Sequence, residues 1–411
     1  MAPVTTPTPT QEHAAGRARS PVVGAVLIAL AAVADLAIST VSLIGEVAGG
    51  RPLTPYVAPQ YWLDYDGGFL RRALPGEVLR LLTGGDPPSY AIVKLVGVGL
   101  SVAAALAVIL LGLLLAHRAP DGWTALTVVA AVVVAPLGLS LLARDLGRYD
   151  ALGVLVLVTL TAVPWTRLPA PLTVLSAATL ATGAVASEEF LVILVVPVAL
   201  VAVWPALRGR PRPRVWAAVV ALPPLVVAGL SAVLPASPAV LRSALGAARA
   251  AGVPHSVPMV PGQADHDSVS RLGYGFVENA RTYYSILTPA GVAVTAVVWA
   301  AVYLTLVGLV WHLLGRSTRE RAFALLAVGG ALAALALSVP GIDFRRWWTL
   351  AAVAVLCLIL LLSPLLPSGP SRAGTVRHRS RAVTLALVTL GAIGIVLANV
   401  PVYVVPPPWW R

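Results

Sequence analysis

Apolar residues in this chain gather into long unbroken stretches parted by short polar breaks, instead of alternating with polar positions. The stretches fall at 22–45, 91–116, 123–143, 150–165, 170–186, 190–206, 215–235, 290–314, 321–339, 348–366 and 381–404. A run of about 17 to 25 apolar residues crosses the hydrocarbon core as an α-helix, because lipid offers no partner to a free backbone N–H or C=O. The pattern predicts an all-α polytopic membrane bundle of about eleven transmembrane helices, forming one domain over 21–404. Two longer breaks, 46–90 and 236–289, are expected as outer loops. Residues 1–20 are Pro/Thr-rich and are followed by no cleavage pattern, which predicts a disordered cytoplasmic tail and a retained first helix.

The polar breaks differ in charge, and this predicts orientation. Arg17 and Arg19 precede the first stretch, and Arg118, Arg167, Arg208 to Arg214, Gly315 to Arg321 and Ser371 to Arg381 fall in every second break thereafter. Short loops rich in arginine stay on the cytoplasmic side. The N-terminus is therefore expected inside. The tail 405–411 is expected outside, with Trp409 and Trp410 at the lipid headgroups.

Composition agrees with the membrane reading: 58% of residues are hydrophobic and 11% charged, far too few polar side chains to cover a water-soluble core. The net charge of +12 lies mainly in the orienting loops, so it does not argue for nucleic acid. Lys94 is the only lysine, and Cys357 the only cysteine, within an apolar run. His255 and His266 sit in the second long loop at a spacing that fits no zinc site. Asp35, in the middle of the first stretch, is costly in lipid and is expected to face the bundle. No internal repeat or matched pair of broken helices suggests an inverted-repeat transporter.

With that orientation the remaining charge clusters share the outer face. They are Asp64 to Arg72 ("DYDGGFLRR"), Arg144 to Asp150 ("RDLGRYD"), Ser187 to Phe190 ("SEEF") and Asp343 to Trp348 ("DFRRWW"). Outer arginines oppose the orientation rule, so Arg144, Arg148, Arg345 and Arg346 need another purpose, such as an anionic ligand in one shared pocket. The competing expectation is that these charges pair with one another at the rim of the bundle. After the first cluster, Leu74, Val78, Leu79 and Leu82 predict a short helix with its apolar face on the membrane. In the second loop Tyr274, Phe276, Tyr283 and Tyr284 stand beside Arg271 and Arg281.

The acid pair Asp64 and Asp66 in "LDYDGG", placed in a large first outer loop of a many-helix bundle, resembles the GT-C superfamily of integral-membrane glycosyltransferases. The resemblance implies transfer of a sugar from a polyprenyl-phosphate donor to a cell-envelope glycan or glycolipid, outside the cytoplasmic (inner) membrane of a bacterium. It implies Asp66 as the base that takes the acceptor's proton, with Asp64 as alternate. Arg71, Arg72, Arg345 and Arg346 would hold phosphate through their forked donors, with Arg148 beside them. Asp150 and Glu188 would orient sugar hydroxyls or help hold a divalent cation, which the sequence leaves open, and Glu189 and Asp343 would bind substrate beside them. A carrier or flippase for an envelope lipid or polymer, and a noncatalytic scaffold, are the alternatives.

Overall fold

The computed structural model describes residues 53, 56–117, 146–234, 236–254, 268–273 and 344–362, with isolated positions between 289 and 333. Among the described residues every regular element is helical. We number the α-helices α1 Leu74–Leu82, α2 Tyr90–His117, α3 Asp150–Ala162, α4 Ala170–Ser187, α5 Val192–Leu207, α6 Pro213–Val233, α7 Pro238–Ala250 and α8 Phe344–Leu362. Short 3-10 turns cover Ala58–Trp62, Val163–Trp165, Glu189–Leu191 and Ser270–Gly273.

Four segments are long and apolar enough to cross a membrane: Tyr90–Leu115, Ala170–Ser187, Glu189–Leu207 and Pro213–Val233. They correspond to the expected spans 91–116, 170–186, 190–206 and 215–235. The expected spans 150–165 and 348–366 correspond to the shorter apolar helices Asp150–Trp165 and Thr349–Leu362. Of the other five, 22–45, 123–143 and 381–404 lie outside the described residues, as do 290–314 and 321–339 except at isolated positions; Asp35, His255, His266, Asp343, Trp409 and Trp410 also lie outside them.

Prolines set several helix ends. Pro164 closes α3 through a 3-10 turn, and prolines occupy the first turn of α4 and of α6, where a missing N–H costs nothing. Pro197 and Pro205 within α5, and Pro223 and Pro224 within α6, each remove an intrahelical bond, the usual cause of a bend. α4 packs on α5 and α6, α8 on α3 and α5, and α2 on α3. Their shared core is Leu, Val and Ala, including Leu157, Leu160, Leu194, Val198 and Cys357. Small residues along α4, such as Ala177, Ala181 and Ala184, let neighbouring backbones come close, which is how helices associate where lipid is as apolar as leucine.

A second apolar cluster caps one end of the bundle. It joins Leu53, Tyr61, Trp62, Leu63, Leu70 and Leu79 from the first long loop with Leu241, Ala244, Ala248, Val253, Val269 and Leu272 from the second. The two loops thus make one body rather than two separate flaps. Gln60 Nε2 and Tyr61 Oη both donate to the Gly147 carbonyl, at 3.1 and 2.5 Å, and Tyr149 Oη donates to the Gln60 carbonyl at 3.0 Å. Gly147 has φ +80°, and a Cβ there would stand 2.4 Å from a Leu53 methyl, so glycine is required where the cap meets the start of α3.

The cap marks one end for α3, α4, α5 and α8, whose starts or finishes lie beneath it. α4 has 18 residues and rises about 27 Å. Arg167 and Arg208 to Arg212, beyond the far ends of these helices, therefore lie at the opposite end of the bundle.

Candidate functional site

The peptide after Leu70 carries Arg71 and Arg72 toward the bundle. Arg72 adopts φ +65°, a left-handed conformation that a branched or bulky residue rarely takes, and it persists because its side chain is fixed at the far end. That end meets the break between α4 and α5. Glu188 leaves the helix in an extended conformation (φ −155°, ψ 105°), and the 3-10 turn Glu189–Leu191 begins immediately after it. The two glutamates are thereby turned into the interior instead of following the helix outward.

Arg72 binds Glu189 as a two-pronged fork, Nε to Oε2 at 3.0 Å and Nη2 to Oε1 at 2.9 Å. The same Nη2 lies 2.8 Å from Glu188 Oε1, but off the N–H direction, so this is an ion contact without a hydrogen bond. From the other side Arg346, in the first turn of α8, donates through Nε to Asp150 Oδ2 and brings Nη2 to 2.9 Å from Glu188 Oε2. Glu188 is the bridge. Arg71 lies at the edge: Nη1 is 3.9 Å from Glu189 Oε1, and Nη2 donates to the Leu272 carbonyl at 2.6 Å.

Aromatic faces complete the enclosure. The Arg72 guanidinium lies 5.9 Å from the Phe190 ring centre and that of Arg346 lies 4.7 Å from Trp347, while Phe190 and Trp347 meet edge to face at 5.1 Å. Burial opposes charge on Arg72, but Glu188 and Glu189 outweigh it and raise its proton affinity above the ordinary guanidinium value. Burial lowers that of Arg71. For Glu188, in the turn between two spans, burial raises the pKa above the usual carboxylate range against the pull of Arg72 and Arg346.

A second charged group stands apart. Asp66 Oδ1 is 2.9 Å from Arg80 Nη2, which also donates to Glu77 Oε1 at 2.8 Å. Tyr65 N donates to Glu77 Oε2 and Asp66 N to Asp64 Oδ1, so the loop is tied to the first turn of α1. The Asp66 side chain remains 66% exposed. Tyr65 and Phe69 stack across the loop with ring centres 6.3 Å apart.

Among the described residues the expected charges thus make two sets of contacts. Arg71, Arg72, Asp150, Glu188, Glu189 and Arg346 come together, from all four expected segments, whereas Asp64 and Asp66 join Glu77 and Arg80. Among the described residues no ion pair links the two groups. Arg148 takes a third place, its guanidinium 5.2 Å from the Tyr56 ring centre. The Arg345 side chain lies outside the description. Leu79, expected on the membrane face of α1, is buried against the cap, while Val78, Leu81 and Leu82 are exposed.

Sequence reasoning singled out neither Gln60, Tyr61 nor Tyr149, whose polar atoms bind the cap to α3, nor Glu77 and Arg80 as partners of Asp66. The Arg80 and Glu77 pair at a three-residue helical spacing was the available signal. Among the described residues no group of three or more His, Cys, Asp or Glu is arranged to hold a metal ion. Comparison with protein-family models, curated proteins and solved structures finds no match to this chain.

Proposed function

We propose that this membrane protein is a glycosyltransferase that moves a sugar from a polyprenyl-phosphate donor to a cell-envelope glycan or glycolipid at the cap end of the bundle. The observation that carries the reading is a water-reachable carboxylate, Asp66, on a loop held by Arg80 and Glu77. In the same loop Arg71 has one guanidinium nitrogen on a backbone carbonyl and another only loosely paired.

In this reading Asp66 takes the proton of the acceptor hydroxyl as its oxygen bonds to the anomeric carbon. The bond from that carbon to the phosphate oxygen breaks, and the electron pair leaves with the phosphate. Arg71 stabilises the departing charge. Arg72 and Arg346, expected to hold phosphate, are committed to buried carboxylates; their role becomes holding the arm in place. Asp64 fixes the backbone of Asp66 through the turn it caps. The buried network favours the second reading, a proton-coupled carrier, because ionisable groups enclosed in a membrane bundle often serve proton pathways.

Purified protein in proteoliposomes, supplied with polyprenyl-phosphate sugars and an envelope glycolipid acceptor, tests the proposal. Transfer by the native chain, lost in Asp66→Asn with the fold unchanged by melting, is the expected result. Absence of transfer with pH-driven movement of the lipid between leaflets would support the carrier.

A further inference from the structure

We infer that Glu188 is a proton-binding residue, and that its charge state sets how firmly the Arg71–Arg72 arm and the cap are docked on the helices. The inference does not depend on the transferase reading.

Arg72 engages Glu189 through both prongs of its fork, and Arg346 donates to Asp150. Each of these carboxylates therefore has an arginine of its own, and Glu188 is a third acid laid between the two pairs. It is 2% exposed. Its Oε1 receives no hydrogen bond among the described residues, and neither does Asp150 Oδ1. A charged carboxylate oxygen buried without a donor is costly, and adding a proton removes that charge while leaving both arginine pairs whole.

The groups facing Glu188 come from each element around it. They are Arg72 and Arg71 from the arm, Arg346 from α8, Asp150 and Tyr149 from the start of α3, and Glu189 from its own turn. Arg72 and Arg346 favour the ionised form. Burial opposes it most strongly, and Glu189 and Asp150 oppose it as well.

A carboxyl whose folded-state pKa lies above its unfolded value has its stabilising effect in full below the unfolded pKa and loses it as pH rises through the folded pKa. Raising the pH therefore puts a third negative charge into the enclosure and weakens docking. The link is mechanical as well as electrostatic. Glu188 is the contact shared by the arm, through Arg72, and by α8, through Arg346, so its state is felt by both.

The test uses the full chain in nanodiscs, with melting temperature and amide hydrogen exchange over 56–82 measured from pH 5 to 9. The native protein is expected to melt at lower temperature as pH rises, and its arm amides to lose protection relative to their intrinsic exchange rate at each pH. Glu188→Gln, which imitates the protonated form, should abolish that pH step and match the low-pH native protein in stability. Glu189→Gln should lower stability throughout and keep the step. A step that survives in Glu188→Gln, or a Glu188→Gln protein destabilised equally at every pH, would overturn the proposal and leave Glu188 as an ordinary buried salt-bridge partner. A native protein without any step would overturn it too.

Discussion

At the scale of single residues, adjacent arginines have opposite circumstances. Arg72 is clamped in a left-handed backbone by two buried glutamates, and Arg71 sits at the margin with one backbone acceptor and a loose ion contact. Arg72→Ala would strand Glu189 and leave Glu188 with Arg346 alone, and should cost about 3–5 kcal/mol, seen as a lower melting temperature in detergent or nanodiscs. Arg71→Ala should change melting little. It should instead weaken binding of a polyprenyl-phosphate analogue more than tenfold, by loss of a charge-assisted hydrogen bond of roughly 1.5–3 kcal/mol. Equal effects of both substitutions on melting and binding would erase the distinction. The sequence shows two identical neighbours here; only the turn that points one inward separates them, and that turn depends on glutamates more than a hundred residues away.

At the scale of elements, the helix following the arm shows what periodicity reveals and what it leaves out. The spacing of Leu74, Val78 and Leu82 announces a short amphipathic helix, and α1 is there. Its rotation is fixed by something that hydropathy does not register. Gly76 packs so tightly that a Cβ would stand 2.0 Å from the Leu63 carbonyl oxygen, which turns Leu79 inward and leaves Leu81 and Leu82 exposed. Gly76→Ala should therefore dislodge α1, destabilising the cap by about 1–3 kcal/mol and speeding hydrogen exchange over 56–82. Gly183→Ala on α4 is the control: its Cβ would meet a Leu74 methyl at 3.9 Å, ordinary contact, and melting should hold or rise. The long spans were easier to read, because a membrane helix must satisfy its backbone internally and so declares itself as a continuous apolar run. The cap was not, since its core joins residues such as Tyr61 and Leu241 from loops far apart in the chain.

At the scale of the whole molecule, the described bundle has two unlike ends. One carries the cap, the buried ion network and the exposed acid loop. The other carries the basic connections at Arg167 and Arg208 to Arg212. The charge clusters were legible as a shared face because helices alternate direction. Their division into a buried network and an exposed loop was not, since it depends on which carboxylates the α4–α5 break turns inward. The proposed transferase requires the cap end to face away from the cytoplasm, where a lipid-phosphate sugar rather than a nucleotide sugar would be the donor. The most direct test is sidedness in intact cells. Cys357 is buried in α8, so it should stay silent toward a membrane-impermeant maleimide. Asp86→Cys, on the exposed turn after α1, should be labelled without permeabilisation, and Arg210→Cys only after it. Labelling of Arg210→Cys in intact cells, with Asp86→Cys protected, would contradict the account by placing the cap and its acids in the cytoplasm.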